Sequence, residues 1–232
     1  MFKTFVSFNS NGFVRKSKNP KNDQMSLNQL FALLFNNHIG VVLASERKEY
    51  SPLFVPMHES GKLYKMDDHI MCAVSGVVAD ANYLVDEGRL HCQQHTYTMR
   101  TPIYVEEVVK SIANQKHSLT QFGSGRPFGV SLMYAGYDKV MGHQLYCSDP
   151  SGNYAAWNAH ATGKNSVNSI TTLKEEYKAG CSLNEALQLA IKLLAKSMDN
   201  MKPDASKFEV GIVSRGKDGT VIQRAVDGAE LD

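Results

Sequence analysis

The chain has 232 residues, 43% of them hydrophobic, with 25 Lys and Arg against 23 Asp and Glu and a formal charge of +2. So even a balance argues against a nucleic-acid partner, which calls for clustered Lys and Arg. No apolar run approaches the roughly 20 residues of a membrane helix, and no basic-then-apolar leader opens the chain, so the expectation is a soluble intracellular protein.

Residues 1–29 read as a basic N-terminal arm. Phe2 to Phe8 suits an extended segment and Asn9 to Gly12 a turn, whereas Arg15 to Asp23 is polar, basic and interrupted by Pro20, which forbids a stable helix. Its positive charge suits a solvated tail. Residues 30–232 read as one domain. Phe31 to Phe35, a polar turn at Asn36 to His38, and Ile39 to Ser45 predict two strands apolar on both faces, which belong in a sheet covered on each side. Lys62 to Met66 alternates polar and apolar residues, and Ile70 to Val78 is a further apolar strand.

Helical spacing then takes over. Ala79 to Tyr97 places Leu84, Val85, Gly88 and Leu90 or Cys92 near one face, with Asp80 as a candidate N-cap, and Val105 to Leu119 repeats the pattern with Val108, Val109, Ile112 and Ala113. Glycines at 123, 125 and 129 with Pro127 break it. Gly129 to Tyr137 and His143 to Cys147 predict a hairpin, Asp149 to Gly152 a turn, and Asn153 to Thr162 a third strand. Asn165 to Lys178 carries Val167, Ile170, Leu173 and Tyr177 on one face. In Leu183 to Met198, Ala186, Leu187, Ala190, Leu193 and Leu194 point inward, behind a capping box of Ser182 and Glu185. Phe208 to Ser214 and Thr220 to Val226 close the chain around a hairpin signal at Lys217 to Gly219. Strands, two helices, strands, two helices and strands predict an α+β, four-layer αββα sandwich: two antiparallel sheets between helical layers.

Thr120-Gln121-Phe122-Gly123, Arg126-Pro127-Phe128-Gly129-Val130-Ser131 and Ser148-Asp149-Pro150-Ser151-Gly152-Asn153-Tyr154, at these separations, resemble the central block of proteasome alpha subunits. Asn153-Tyr154 with Trp157 is most similar to the alpha type-4 branch, and Gly40 to Arg47 resembles the second strand of proteasome subunits. The resemblance covers about residues 39 to 226. It implies the N-terminal-nucleophile hydrolase fold, a place in a seven-membered outer ring with other alpha subunits, contact with beta subunits and activator particles, and a share in ubiquitin-dependent protein degradation in cytoplasm and nucleus. Two departures stand out: the family's Tyr-Asp-Arg gate triplet is absent from residues 1–29, as is the sequence of its first amphipathic helix.

Catalytic beta subunits of that family use an N-terminal threonine whose amine activates its own hydroxyl. Counting back from Gly40 to Arg47 puts Leu30 in that place, and a leucine is no nucleophile. The beta subunits' aspartate falls at Glu46 and their lysine at Lys62. No catalytic residue is therefore assigned. Glu46 and Lys62 suit a strand-end charge pair; in alpha subunits the lysine matching Lys62 receives the C-terminal carboxylate of activator tails ending hydrophobic-tyrosine-any, so Lys62 is the candidate binding residue.

Other candidates are weaker. Ser131 and Ser151 lack a Gly-x-Ser-x-Gly elbow, His143 and His160 suit structural roles on strands, and Gly123-Ser124-Gly125 lacks the Lys-Ser or Lys-Thr of a phosphate loop. Arg126 suits a structural donor to carbonyls or carboxylates. Cys72, Cys92, Cys147 and Cys181 form no CxxC pair and the eight histidines no HExxH, so neither metal nor cofactor is expected, and Cys72 and Cys147 read as small core residues. Two alternatives remain: an active N-terminal-nucleophile hydrolase of beta type, and a free-standing binding protein on the same fold.

Overall fold

The computed structural model describes residues 30–35, 40–47, 53, 61–123, 125–197, 207–216 and 219–227. The elements, in order, are β1 (Leu30–Phe35), β2 (Gly40–Glu46), β3 (Leu63–Asp67), β4 (Ile70–Gly76), α1 (Val78–Met99), α2 (Val105–Phe122), β5 (Val130–Asp138), β6 (Gly142–Ser148), β7 (Tyr154–Ala156), β8 (Ala159–Thr162), α3 (Ser166–Glu176), α4 (Leu183–Ser197), β9 (Phe208–Arg215) and β10 (Val221–Asp227). One sheet runs β10-β9-β2-β1-β8 and the other β3-β4-β5-β6-β7. Every pairing is antiparallel.

Strand periodicity explains why four layers form. On β2, Val41 and Leu43 face the second sheet, packing with Met71, Ala73, Met133 and Leu145, while Val42 and Ala44 face the helical layer of α3 and α4. On β4 and β5 the partition repeats: Met71, Ala73 and Met133 point between the sheets, and Cys72, Val74 and Tyr134 point at α1 and α2. Residues one apart thus bury opposite faces, as the two-sided apolar strands require. Cys72 sits fully buried in the helix-facing core and Cys147 packs on the edge of the inter-sheet one, so both are core residues.

Several expectations are corrected. Asn153 to Thr162 is not one strand: β7 pairs with β6 in one sheet and β8 with β1 in the other, so the chain changes sheets at Trp157 and Asn158. The Trp157 N–H donates to the Leu145 carbonyl at 2.9 Å, and the Trp157 ring stacks on His160 at 4.3 Å, bracing the crossing from both ends. Of the face predicted for α3, Leu173 is buried and Ile170 and Tyr177 pack against the same core, but Val167 is 75% exposed and Ser169 is buried, its hydroxyl donating to the Asn165 carbonyl. Asp80 is no N-cap, because α1 already starts at Val78 after Val77, and its carboxylate serves a different partner. The arm of residues 1–29, the turn at Asn36 to His38, Met198, Lys217 and Asp218 lie outside the described residues.

The turn after β6 is seated on α2. Asp149 Oδ1 accepts the N–H groups of Ser151 and Asn153 at 2.9 and 3.1 Å, which folds the turn back. Gly152 then lies at φ +90, where a Cβ would stand 2.6 Å from the Ala113 carbonyl oxygen and 2.8 Å from the His117 nitrogen. Gly152→Ala is therefore expected to cost about 2 kcal/mol, combining backbone strain with a forced shift of α2. Chemical denaturation of the purified chain measures this, and an unchanged midpoint would mean that the turn does not bear on the helix.

Candidate functional site

The residues singled out in the sequence meet at one end of the sandwich. β1 opens at Leu30, opposite Ser45 on β2 and Thr162 on β8. β2 ends at Glu46, one residue beyond Ser45, which itself lies opposite Glu209 on β9. Lys62 stands just before β3 in the other sheet, where its carbonyl accepts the Val74 N–H at 3.0 Å. So Leu30, Glu46 and Lys62 share a rim through strand register.

Lys62 bridges the two sheets at this rim. Its Nζ donates to the main-chain carbonyl of Glu46 at 2.6 Å, and its backbone N–H donates to Glu209 Oε2 at 2.8 Å. The same carboxylate oxygen accepts the Ser45 hydroxyl at 3.2 Å. The link between Glu46 and Lys62 is therefore an ammonium-to-backbone hydrogen bond, in place of the charge pair read from the sequence. A half-buried ammonium that donates to a carbonyl is set up as a fixed positive charge able to meet a carboxylate from several angles.

Glu209 was not found from the sequence, although a signal exists. Phe208, Val210 and Ile212 face α4, so the opposite phase of β9, Glu209, Gly211 and Val213, faces the second sheet. An acidic residue in that inward phase needs donors, and they arrive from residues 147 and 164 positions away.

The glycine-rich loop does structural work. Arg126 reaches Asp80 as a fork, Nη1 to Oδ2 at 2.7 Å and Nη2 to Oδ1 at 2.6 Å, while the Gly129 N–H donates to the same carboxylate at 2.9 Å. This fits the reading of Arg126 as a donor to carboxylates. The guanidinium beside Asp80 holds its carboxyl below the usual carboxylate range, against the opposing pull of burial. Phe128 stacks on Tyr83 at 5.9 Å, so the loop is fixed to α1 by a polar and an apolar contact together.

A fully buried cation also escaped the sequence reading. Lys116 on α2 is fully buried; its Nζ donates to the Val130 carbonyl at 3.1 Å and to Ser148 Oγ at 2.9 Å, and Tyr134 Oη lies 3.1 Å from that hydroxyl. Burial pulls the ammonium down to about 8. The helical pattern placed Ala113 inward, and Lys116 follows it by three residues, so its place on the buried face was legible even though its charge argued otherwise.

The remaining candidates stay apart. Ser151 Oγ donates to Asp149 Oδ1 at 2.6 Å within its own turn, Ser131 pairs across from Ser75 on β4, His143 packs against Tyr137 at 4.9 Å, and His160 lies under Trp157. Ser124 lies outside the described residues. Among the described residues no group of three His, Cys, Asp or Glu is placed to hold a metal ion, and no helix is long and apolar enough to cross a membrane.

Comparison with known proteins gives a consistent result. The proteasome subunit family profile matches residues 35–213. The chain is 46% identical over 174 residues to proteasome subunit alpha type-4-1 of Oryza sativa subsp. indica, covering 75% of this chain and 70% of that protein. It is 44% identical over 180 residues to proteasome subunit alpha type-4 of Petunia hybrida, covering 77% and 72%, and 44% identical over 174 residues to proteasome subunit alpha type-4-A of Arabidopsis thaliana, covering 75% and 70%.

Proposed function

The chain belongs to the proteasome subunit family, and from that premise we propose that it is a structural, non-catalytic alpha subunit of the proteasome core particle. It assembles with other proteasome subunits, taking a place in the seven-membered outer ring and templating the beta ring beneath it. Its relatives' names support the alpha assignment. One observation carries the absence of catalysis: the residue that opens β1 opposite Ser45 is Leu30, with no hydroxyl or thiol to activate. Lys62, the residue matching the catalytic lysine, is engaged with the Glu46 carbonyl.

The same rim supports activator docking. A lysine ammonium oriented by a carbonyl is a compact charge that can meet a C-terminal carboxylate from several angles, one of the recurring modes of peptide capture. The setting of this work is ubiquitin-dependent protein degradation in cytoplasm and nucleus, with a contribution to the axial gate.

Two assays test the proposal. Purified chain alone is expected to leave fluorogenic peptides uncut and to co-assemble with other alpha subunits into rings; threonine-protease activity of the isolated chain would overturn it. In assembled particles, Lys62→Ala is expected to weaken binding of a free peptide ending hydrophobic-tyrosine-any by about tenfold, as loss of a close charge partner does. Ring yield should not change, and unchanged peptide binding would remove Lys62 from the docking role.

A further inference from the structure

We propose that Glu209 is a positioning residue for Lys62: its carboxylate fixes the main chain from which the Lys62 ammonium reaches out, and so sets where an incoming carboxylate is met. This rests on the reading of Lys62 as a docking residue. Glu209 lies on β9 in one sheet and Lys62 just before β3 in the other, so the contact spans the mouth of the sandwich.

Three observations converge on Glu209. Its Oε2 accepts the Lys62 N–H at 2.8 Å and the Ser45 hydroxyl at 3.2 Å, which ties Lys62 to β2 as well as to β9. The Lys62 carbonyl is taken by the Val74 N–H at 3.0 Å, so both main-chain polar groups of this residue have fixed partners on opposite sides. Gly61 lies directly against the carboxylate: a Cβ there would stand 1.8 Å from Glu209 Oε1. Any side chain at 61 would have to move the carboxylate, and glycine lets it seat. With its backbone clamped in this way, the Lys62 stem starts from a fixed point, and its Nζ lands 2.6 Å from the Glu46 carbonyl. A binding side chain whose supporting contacts are lost keeps its charge and loses its aim.

The test uses whole core particles carrying variant chains. Two readouts are taken: the acetylation rate of the Lys62 amine, by competitive labelling and mass spectrometry, and the affinity for a synthetic peptide ending hydrophobic-tyrosine-any, with a C-terminally amidated peptide as control. Glu209→Ala is expected to speed labelling of Lys62 and to weaken peptide binding by about fivefold, because the ammonium is no longer held in one direction. Ring yield should stay the same, and Glu209→Gln, which keeps an acceptor oxygen for the Lys62 N–H, should restore both readouts. Gly61→Ala displaces the carboxylate without removing it and should move both readouts the same way, which keeps the test decisive if Glu209→Ala fails to assemble. Unchanged labelling in either the Glu209→Ala or the Gly61→Ala particle would overturn the proposal. If instead Lys62→Ala binds peptide as wild type does, the docking reading fails, and labelling alone still decides whether Glu209 positions Lys62.

Discussion

Arg126→Ala is expected to destabilise the purified chain by about 2 to 3 kcal/mol at neutral pH, because it leaves the Asp80 carboxylate, only 8% exposed, without its counter-charge. The arginine itself is 68% exposed, which sets the effect below that of a fully buried pair. Asp80→Ala should cost less, about 1 to 2 kcal/mol, since the freed guanidinium returns to water and the main loss is an acceptor for the Gly129 N–H. That asymmetry is the signature of a buried carboxylate held by an exposed cation. The pH dependence follows in sign. The folded carboxyl of Asp80 is shifted down, first by its hydrogen bonds from Arg126, so its contribution is present above the ordinary carboxylate range and is lost as pH falls through the lowered folded value. The gap between wild type and Arg126→Ala should therefore be widest at neutral pH and shrink below about pH 4. Denaturant midpoints across that range check it, and a gap independent of pH would place the loss in packing, such as the Phe128 and Tyr83 stack.

Replacing Lys116 by Met should raise stability at neutral pH by about 2 kcal/mol. The ammonium is fully buried and donates to the neutral Val130 carbonyl and Ser148 hydroxyl, and burial pulls it from 10.5 to about 8, a shift worth about 3 kcal/mol at roughly 1.4 kcal/mol per pH unit. Methionine fills similar space without the desolvated charge; leaving the Val130 carbonyl and part of the Ser148 hydroxyl without a donor takes back some of the gain. Because the folded value is depressed, the unfolded chain binds more protons at this lysine between about 8 and 10.5, and its contribution to wild-type stability rises with pH over that window. Burial pushes the thiols of Cys72, Cys92 and Cys147 from 9.0 up to about 12, which works in the opposite direction from about pH 8 upward. The two slopes nearly cancel between pH 8 and 9, and the wild type should lose stability at higher pH. The thiols are common to both chains, so the difference between them isolates the lysine, and the advantage of Lys116→Met should shrink from pH 8 toward pH 10.5. A variant advantage that stays constant from pH 7 to 10 would show that the lysine's charge is not what the fold works against.

Much of the architecture is local in origin and was readable before any contact was known. Ser182 and Glu185 form the capping box that their spacing announced, with the Ser182 N–H on Glu185 Oε2 at 2.8 Å and the Glu185 N–H reaching Ser182 Oγ at 3.4 Å. Helix α2 runs slightly beyond the predicted Val105 to Leu119, to Phe122, and stops where Gly123 takes φ +62. The apolar run on both faces of β2 predicted a sheet covered on each side, and both covers are present. These features depend on residues within a turn or a strand of one another, so a short window of sequence holds all the information they need.

The chain alone determined the order of its elements, the kind of each, the family it joins and the leucine where a nucleophile would stand. What only the tertiary structure decided was which polar groups meet across the sandwich. The change of sheet at Trp157 depends on β1 offering a free edge 120 residues earlier in the chain, the seating of Lys116 depends on Val130 and Ser148 supplying acceptors, and the clamp on Lys62 depends on Glu209 arriving from β9. Backbone conformation follows from neighbours along the chain, whereas a buried charge is tolerated or excluded according to partners that folding alone brings within reach.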